Sequence, residues 1–150
     1  MSTEHIYEVE VNWMNDRLGV LDSPDLDDEV NVATPPQFAK GIERVWSPEH
    51  LFTAAVNSCL MTTFLAIAEN SKLEFEHFTS KALGKLELLD GKYIMSEVTL
   101  VPLLTILKEE DRERALRILQ KSEAACLISN SIKSEIIFKP EITVKQVAII

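Results

Sequence analysis

Residues 46–69, WSPEHLFTAAVNSCLMTTFLAIAE, decide the architecture. They read as one long helix carrying a cysteine, Cys59, near its middle. Ser47 is a good N-cap, Pro48 stands where proline is tolerated in the first turn, and Glu49 places a negative charge at the positive end. Residues 51–68 are apolar almost all the way round, interrupted only by Thr53, Asn57, Ser58, Thr62 and Thr63. With no face marked for solvent, such a helix is covered on several sides or lies in lipid. The membrane reading fails on its details, because hydrogen-bonding side chains are spread along the segment and Glu49 and Glu69 close its ends. The prediction is a central helix in a soluble domain, covered by a sheet or a second subunit.

Composition points the same way. The 150 residues make a single domain, 1–150, that buries roughly two-thirds of its unfolded surface. A formal net charge of -9, with no local run of Lys and Arg, repels phosphate backbones and anionic lipid, so nucleic acid and membrane surfaces are excluded as partners. A small molecule or another protein remains. The start, MSTEHIYEVEV, is acidic and alternating, unlike a secretory signal. A cytoplasmic protein is expected, in which two cysteines are free, reactive or transiently paired rather than a structural bridge.

Outward from the helix, residues 5–13 alternate as a half-buried strand. Asn15 and Asp16 supply a turn, and residues 17–21 return as a hairpin, with Arg17 just past the turn. Residues 22–29 form an acidic loop without the glycine and terminal glutamate of a calcium loop. A short strand at 30–33 and a proline-containing connection at 34–44 lead to the helix, with Arg44 a second cation near its start. Beyond it, residues 73–89 and 92–107 are extended and joined by Asp90-Gly91, a strong hairpin signal. Gly84 marks a bulge or a close backbone approach, and Pro102 predicts an edge strand or an interruption. Asp111 is a plausible N-cap for an amphipathic helix, 112–127, whose inner stripe is Ala115, Ile118, Leu119, Ser122, Ala125 and Cys126. Strands at 135–138 and 142–147, separated by Pro140, close an α+β fold with mostly antiparallel pairing.

By pattern alone, Cys59 and Cys126 also read as small buried hydrophobes. His5, His50 and His77 are scattered, so neither a metal site nor a cofactor is expected. No hydrolase triad or phosphate-binding loop stands out.

The stretch WSPEHLFTAAVNSCLMTTF resembles the hallmark segment of the OsmC/Ohr proteins, thiol-dependent reductases of organic hydroperoxides, and ACLISNS at 125–131 is similar to that family's second cysteine motif. The resemblance implies an OsmC-like fold: sheets wrapped around a long cysteine-bearing helix in an intertwined homodimer. It implies that Cys59 is the peroxidatic cysteine, Cys126 the resolving cysteine, Glu49 the glutamate of the Pro-Glu pair and Arg17 its partner arginine. It also implies an organic hydroperoxide substrate and an external dithiol reductant. Leu127 stands where the family often has proline, and Arg44-Val-Trp46 replaces a glycine-rich lead, leaving Arg17 and Arg44 as competing cations.

The chemistry of these roles makes demands. A peroxidase attacks with thiolate, whereas apolar burial raises a thiol pKa. Cys59 lies too far into its helix for the dipole to help, so a fixed cation is expected beside the sulfur, with Glu49 holding its guanidinium. Glu49 and Cys59 are ten residues apart, roughly 15 Å along a continuous helix, and cannot meet along it. A site at the subunit interface follows as an expectation. Phe52 and Val56 read either as plain core or as walls favouring a hydrophobic peroxide. Two alternatives stay open: a thioesterase-like hydrolase of acyl substrates, with Glu49 or Asn57 positioning water, and a non-catalytic small-molecule binding protein with two inert core cysteines.

Overall fold

A computed structural model describes residues 3–146. The predicted strand at 142–147 therefore ends in Val147, outside the described residues. The chain packs as two compact units, Met1–Leu51 and Phe52–Ile150.

The first unit holds three antiparallel strands in the order β1-β2-β3, Glu10–Asn15, Leu18–Asp22 and Val30–Ala33. β1 begins later than its alternation predicted, and all of its residues are exposed rather than half-buried. Neither face of β1 is covered within the single chain, so alternation of residue type there does not translate into one buried face. Asp16 takes the left-handed conformation (φ 47°) and Arg17 lies within the turn itself. Trp13 Nε1–H donates to the Asp16 carbonyl at 3.1 Å and fastens the hairpin end. The connection at 34–44 closes on itself through Phe38 N–H to Pro35 O, Gly41 N–H to Phe38 O and Ile42 N–H to Thr34 O, at 2.9–3.1 Å. A Cβ on Gly41 would collide with the Pro35 carbonyl, which explains the glycine. The chain then bridges Trp46 to Val32 and enters the long helix.

That helix, α1 (Pro48–Asn70), begins as predicted. Ser47 Oγ accepts from the His50 N–H at 3.1 Å, and the Ser47 carbonyl accepts from Leu51 N–H at 2.9 Å. The other end carries a full Schellman motif: Lys72 is left-handed (φ 56°), its N–H reaches Glu69 O, and Leu73 N–H reaches Ala68 O. The last turn of α1 has no basic residue of its own. Arg114, arriving from elsewhere in the second unit, donates to the Ser71 carbonyl at 2.7 Å and supplies the missing cation.

Within the second unit, β4 (Phe75–Leu89) and β5 (Lys92–Ile106) form a long hairpin. Its two-residue turn has positive φ at both Asp90 (51°) and Gly91 (78°), the signature of a type I′ turn. β6 (Glu135–Phe138) and β7 (Glu141–Val144) both pair with the other edge of β5, and both are parallel to it. β5 is thus a central strand, against the expectation that Pro102 puts it at an edge or breaks it. The reason lies in which edge the proline faces. Alternate residues of a strand turn their N–H and C=O to the same side. The carbonyls of Leu100 and Ile106 accept from Lys139 and Lys145 N–H at 2.9 and 2.7 Å, so Pro102 faces that side too. There the third strand is itself interrupted at Pro140, between β6 and β7, and no ladder bond is lost.

A 3₁₀ turn, Glu109–Asp111, leads into α2 (Arg112–Ala125). Asp111 does not cap α2 with its side chain and instead pairs with Arg114 at 3.6 Å. The predicted second helix also ends earlier: Cys126 takes φ -66° and ψ 112°, and a single further turn, α3 (Leu127–Asn130), follows. The core lies between α1, α2 and the β4–β5 sheet. Phe64, Ala68, Leu104, Ile106, Ala115, Ile118 and Leu119 make one cluster, and Val56, Leu60, Val98 and Leu100 another. Phe64 stacks on Phe78, centroids 4.9 Å apart, and meets Phe75 edge-on at 5.2 Å. Gly84 permits a close approach of β4 to α1, since a Cβ there would strike Thr53 Oγ1.

α1 is long and apolar enough to cross a membrane, yet it serves as the core helix of an α+β fold. Its cover is narrower than its composition predicted. Val56, Cys59, Leu60, Phe64 and Ala68 form a buried stripe, while Met61 and Leu65 are 40% and 41% exposed.

Candidate active site

Cys59 lies on the buried stripe of α1 and is 9% exposed, while Cys126 is wholly buried at the break between α2 and α3. Both are free thiols, and the fold brings them together. The Cys126 thiol donates a hydrogen bond to the Cys59 sulfur. The N–H groups of Ile128 and Leu127 also point at that sulfur, because the extended backbone at Cys126 leaves the first turn of α3 without internal acceptors. Thr63, one helical turn after Cys59, completes the set with its hydroxyl 3.9 Å from the sulfur.

These contacts push the two thiols in opposite directions. Burial raises Cys59, but the hydrogen bonds from Cys126, Ile128, Thr63 and Leu127 together outweigh it and hold Cys59 below the ordinary thiol range. Burial also raises Cys126; its hydrogen bond to Cys59 adds to that, and the Ser129 hydroxyl and N–H only partly offset it. Cys59 is therefore the more acidic of the two thiols. The groups that lower Cys59 within this chain are neutral hydrogen-bond donors.

Arg17 and Glu49 are brought together within the first unit. Both line a cavity of about 440 Å³ whose walls include Trp13, Leu18, Val32 and Phe38. The β1–β2 turn delivers Arg17, and the Ser47 cap fixes the turn of α1 that carries Glu49. Arg44, the competing cation, is left-handed (φ 67°), exposed, and does not line this cavity. Ser47 Oγ lies 2.7 Å from His50 Nδ1. That contact, together with the His50 N–H on the same oxygen, makes His50 a member of the cap.

Sequence reasoning missed several parts. Phe52 and Val56 are core side chains packed with Leu60, Val98 and Leu100, and the cavity walls are Trp13 and Phe38. Thr63 was within reach of a helical-spacing argument, four residues after Cys59. The N–H donors of Leu127 and Ile128 were not, because any residue type but proline supplies an N–H.

A family model described as OsmC-like protein matches residues 41–141. Among curated proteins, the chain is 23% identical over 150 residues to the uncharacterized protein YmaD of Bacillus subtilis (strain 168), covering 97% of each chain. Among solved structures, an OsmC-like protein of unknown function from Vibrio cholerae superposes with a TM-score of 0.82 at 21% identity, over 91% of this chain and 99% of that one. An organic hydroperoxide resistance protein from Elizabethkingia anophelis superposes with a TM-score of 0.76 at 20% identity, over 97% of this chain and 100% of that one.

Proposed function

The chain belongs to the OsmC-like protein family, and from that premise we propose that it reduces organic hydroperoxides by a two-cysteine mechanism. The Cys59 thiolate attacks the O–O bond, which breaks to leave a sulfenic acid on Cys59, and the departing alkoxide takes a proton to leave as an alcohol. The Cys126 sulfur then forms the S–S bond as the S–O bond of the sulfenic acid breaks and water departs. An external dithiol restores both thiols in a reducing cytoplasm. The observation that carries this reading is the hydrogen-bonded thiol pair with its opposite biases. A pair of inert core cysteines has no need of four donors on one sulfur.

Arg17 and Glu49 are assigned to the substrate. A guanidinium stabilises negative charge on the departing oxygen, and a carboxylate can hold it in a two-point grip. What supports this is that both line one cavity, whose walls of Trp13, Val32 and Phe38 suit an apolar organic group. Assembly as a homodimer belongs to the same proposal. It is supported by Met61 and Leu65 on α1, and by Val11 and Trp13 on β1, all exposed apolar side chains in the single chain.

The test is one equivalent of cumene hydroperoxide added to reduced protein while free thiols are counted. Loss of two thiols per chain is expected, abolished by Cys59→Ser and diverted to higher oxides of Cys59 by Cys126→Ala. Survival of both thiols would end the proposal.

A further inference from the structure

Ser129 is 8% exposed, and its hydroxyl has no partner at ordinary hydrogen-bond distance among the described residues. A buried hydroxyl left in that state is costly, so the site is expected to use it. Neighbouring serines are satisfied: Ser122 Oγ–H donates to Ile118 O and Ser131 Oγ–H to Leu127 O, each at 2.7 Å. Ser129 stands three residues after Cys126, at the other end of the single turn of α3, and its hydroxyl and N–H are the groups that act to lower the Cys126 thiol.

The two halves of the reaction place opposite demands on Cys126. Before oxidation it keeps its proton and donates to Cys59. Afterwards the Cys59 sulfur bears a hydroxyl group, and Cys126 must surrender its proton and attack. Its electron pair forms the S–S bond, the S–O bond breaks, and the departing hydroxide takes a proton to leave as water; Cys126 is oxidised and the Cys59 sulfenic acid reduced. The donors to Cys59 do nothing for this step. We propose that Ser129 is a positioning residue for resolution, its hydroxyl turning to the Cys126 sulfur and holding the negative charge that develops there as the disulfide forms. The proposal rests on the two-cysteine reading, and its test has an arm that does not.

In a Cys59→Ser background, Cys126 is the remaining thiol, and its ionisation is followed by ultraviolet thiolate absorbance against pH without any peroxide. Ser129→Ala is expected to move the midpoint to higher pH by about one unit, and Ser129→Thr, which keeps the hydroxyl, to restore it. With both cysteines present, Ser129→Ala slows disulfide formation about tenfold and displaces that step's pH profile to the alkaline side. A midpoint that does not move overturns the inference whatever the peroxide does, as does an unchanged disulfide rate in a protein that reacts. A protein inert to peroxide with a shifted midpoint instead overturns the two-cysteine function while supporting the Ser129–Cys126 contact.

Discussion

The Cys126 thiol donates its hydrogen bond to the Cys59 sulfur, and that single contact lowers one thiol while raising the other. The reactivity of Cys59 then depends on what stands at position 126. Cys126→Ser keeps an O–H donor and Cys126→Ala removes it. At pH 7 the Ser variant is expected to be alkylated by iodoacetamide several-fold faster than the Ala variant. Equal rates would show that the contact does not govern ionisation.

The pH dependence has a definite sign. Cys59 is held below the ordinary thiol value of about 8.5 in the folded state, so the unfolded chain binds more protons between the two values. Its contribution to stability is complete above about pH 8.5 and is lost as the pH falls through the folded value. Cys126, raised, contributes below about pH 8.5 and loses that contribution as the pH rises through its own folded value. In Cys126→Ser the opposing contribution is gone, so the urea midpoint relative to Cys59→Ser/Cys126→Ser should climb as the pH rises towards 8.5, about the free-thiol value.

Arg17 and Glu49 line the same cavity. If the pair serves substrate, Arg17→Lys loses the forked geometry of the guanidinium, and the rate of peroxide reduction should fall by about 10²-fold, as when one oxyanion donor is removed. Arg44→Lys, outside the cavity, should leave the rate within about twofold, the size of a surface substitution that touches no buried group. Stopped-flow measurement of thiol loss decides between the two arginines.

Ser47 is fully buried and caps α1 through the His50 N–H. Ser47→Ala should cost about 1–2 kcal/mol and lower the melting temperature by several degrees, read by thermal unfolding. Ser47→Asp, which retains an acceptor, should lose less.

Gly84 faces Thr53 across the β4–α1 contact. Gly84→Ala should destabilise by about 1–3 kcal/mol through overpacking. Thr53→Ala in the same chain should recover much of that cost, because the collision is with the threonine hydroxyl. Denaturant unfolding of the four species gives the coupling directly, and additive effects would locate the strain elsewhere.

How legible all this was in the sequence varies from residue to residue. The Ser47-Pro48-Glu49 start and the Asp90-Gly91 turn were readable because caps and two-residue turns are settled by a few adjacent residues. The extent of the second helix was not. Its inner stripe runs on through Cys126, and nothing in that periodicity announces the extended backbone there. Pro102 was misread because the rule about proline in strands concerns the strand's neighbour, and the gap at Pro140 that accommodates it belongs to another segment. The two cysteines were found by resemblance, and their hydrogen-bonded pairing came only with the fold.

What the sequence determined by itself was local: where α1 starts, where the long hairpin turns, and which chemistry-bearing side chains the chain has to offer. The tertiary structure decided which of them act on one another. It set the Cys126 thiol and the N–H groups of Ile128 and Leu127 on the Cys59 sulfur, and it put Arg17 and Glu49 in one cavity. The physical reason is range. Caps and turns are fixed by bonds between neighbours, whereas the ionisation of a buried thiol is fixed by donors that packing brings from far along the chain.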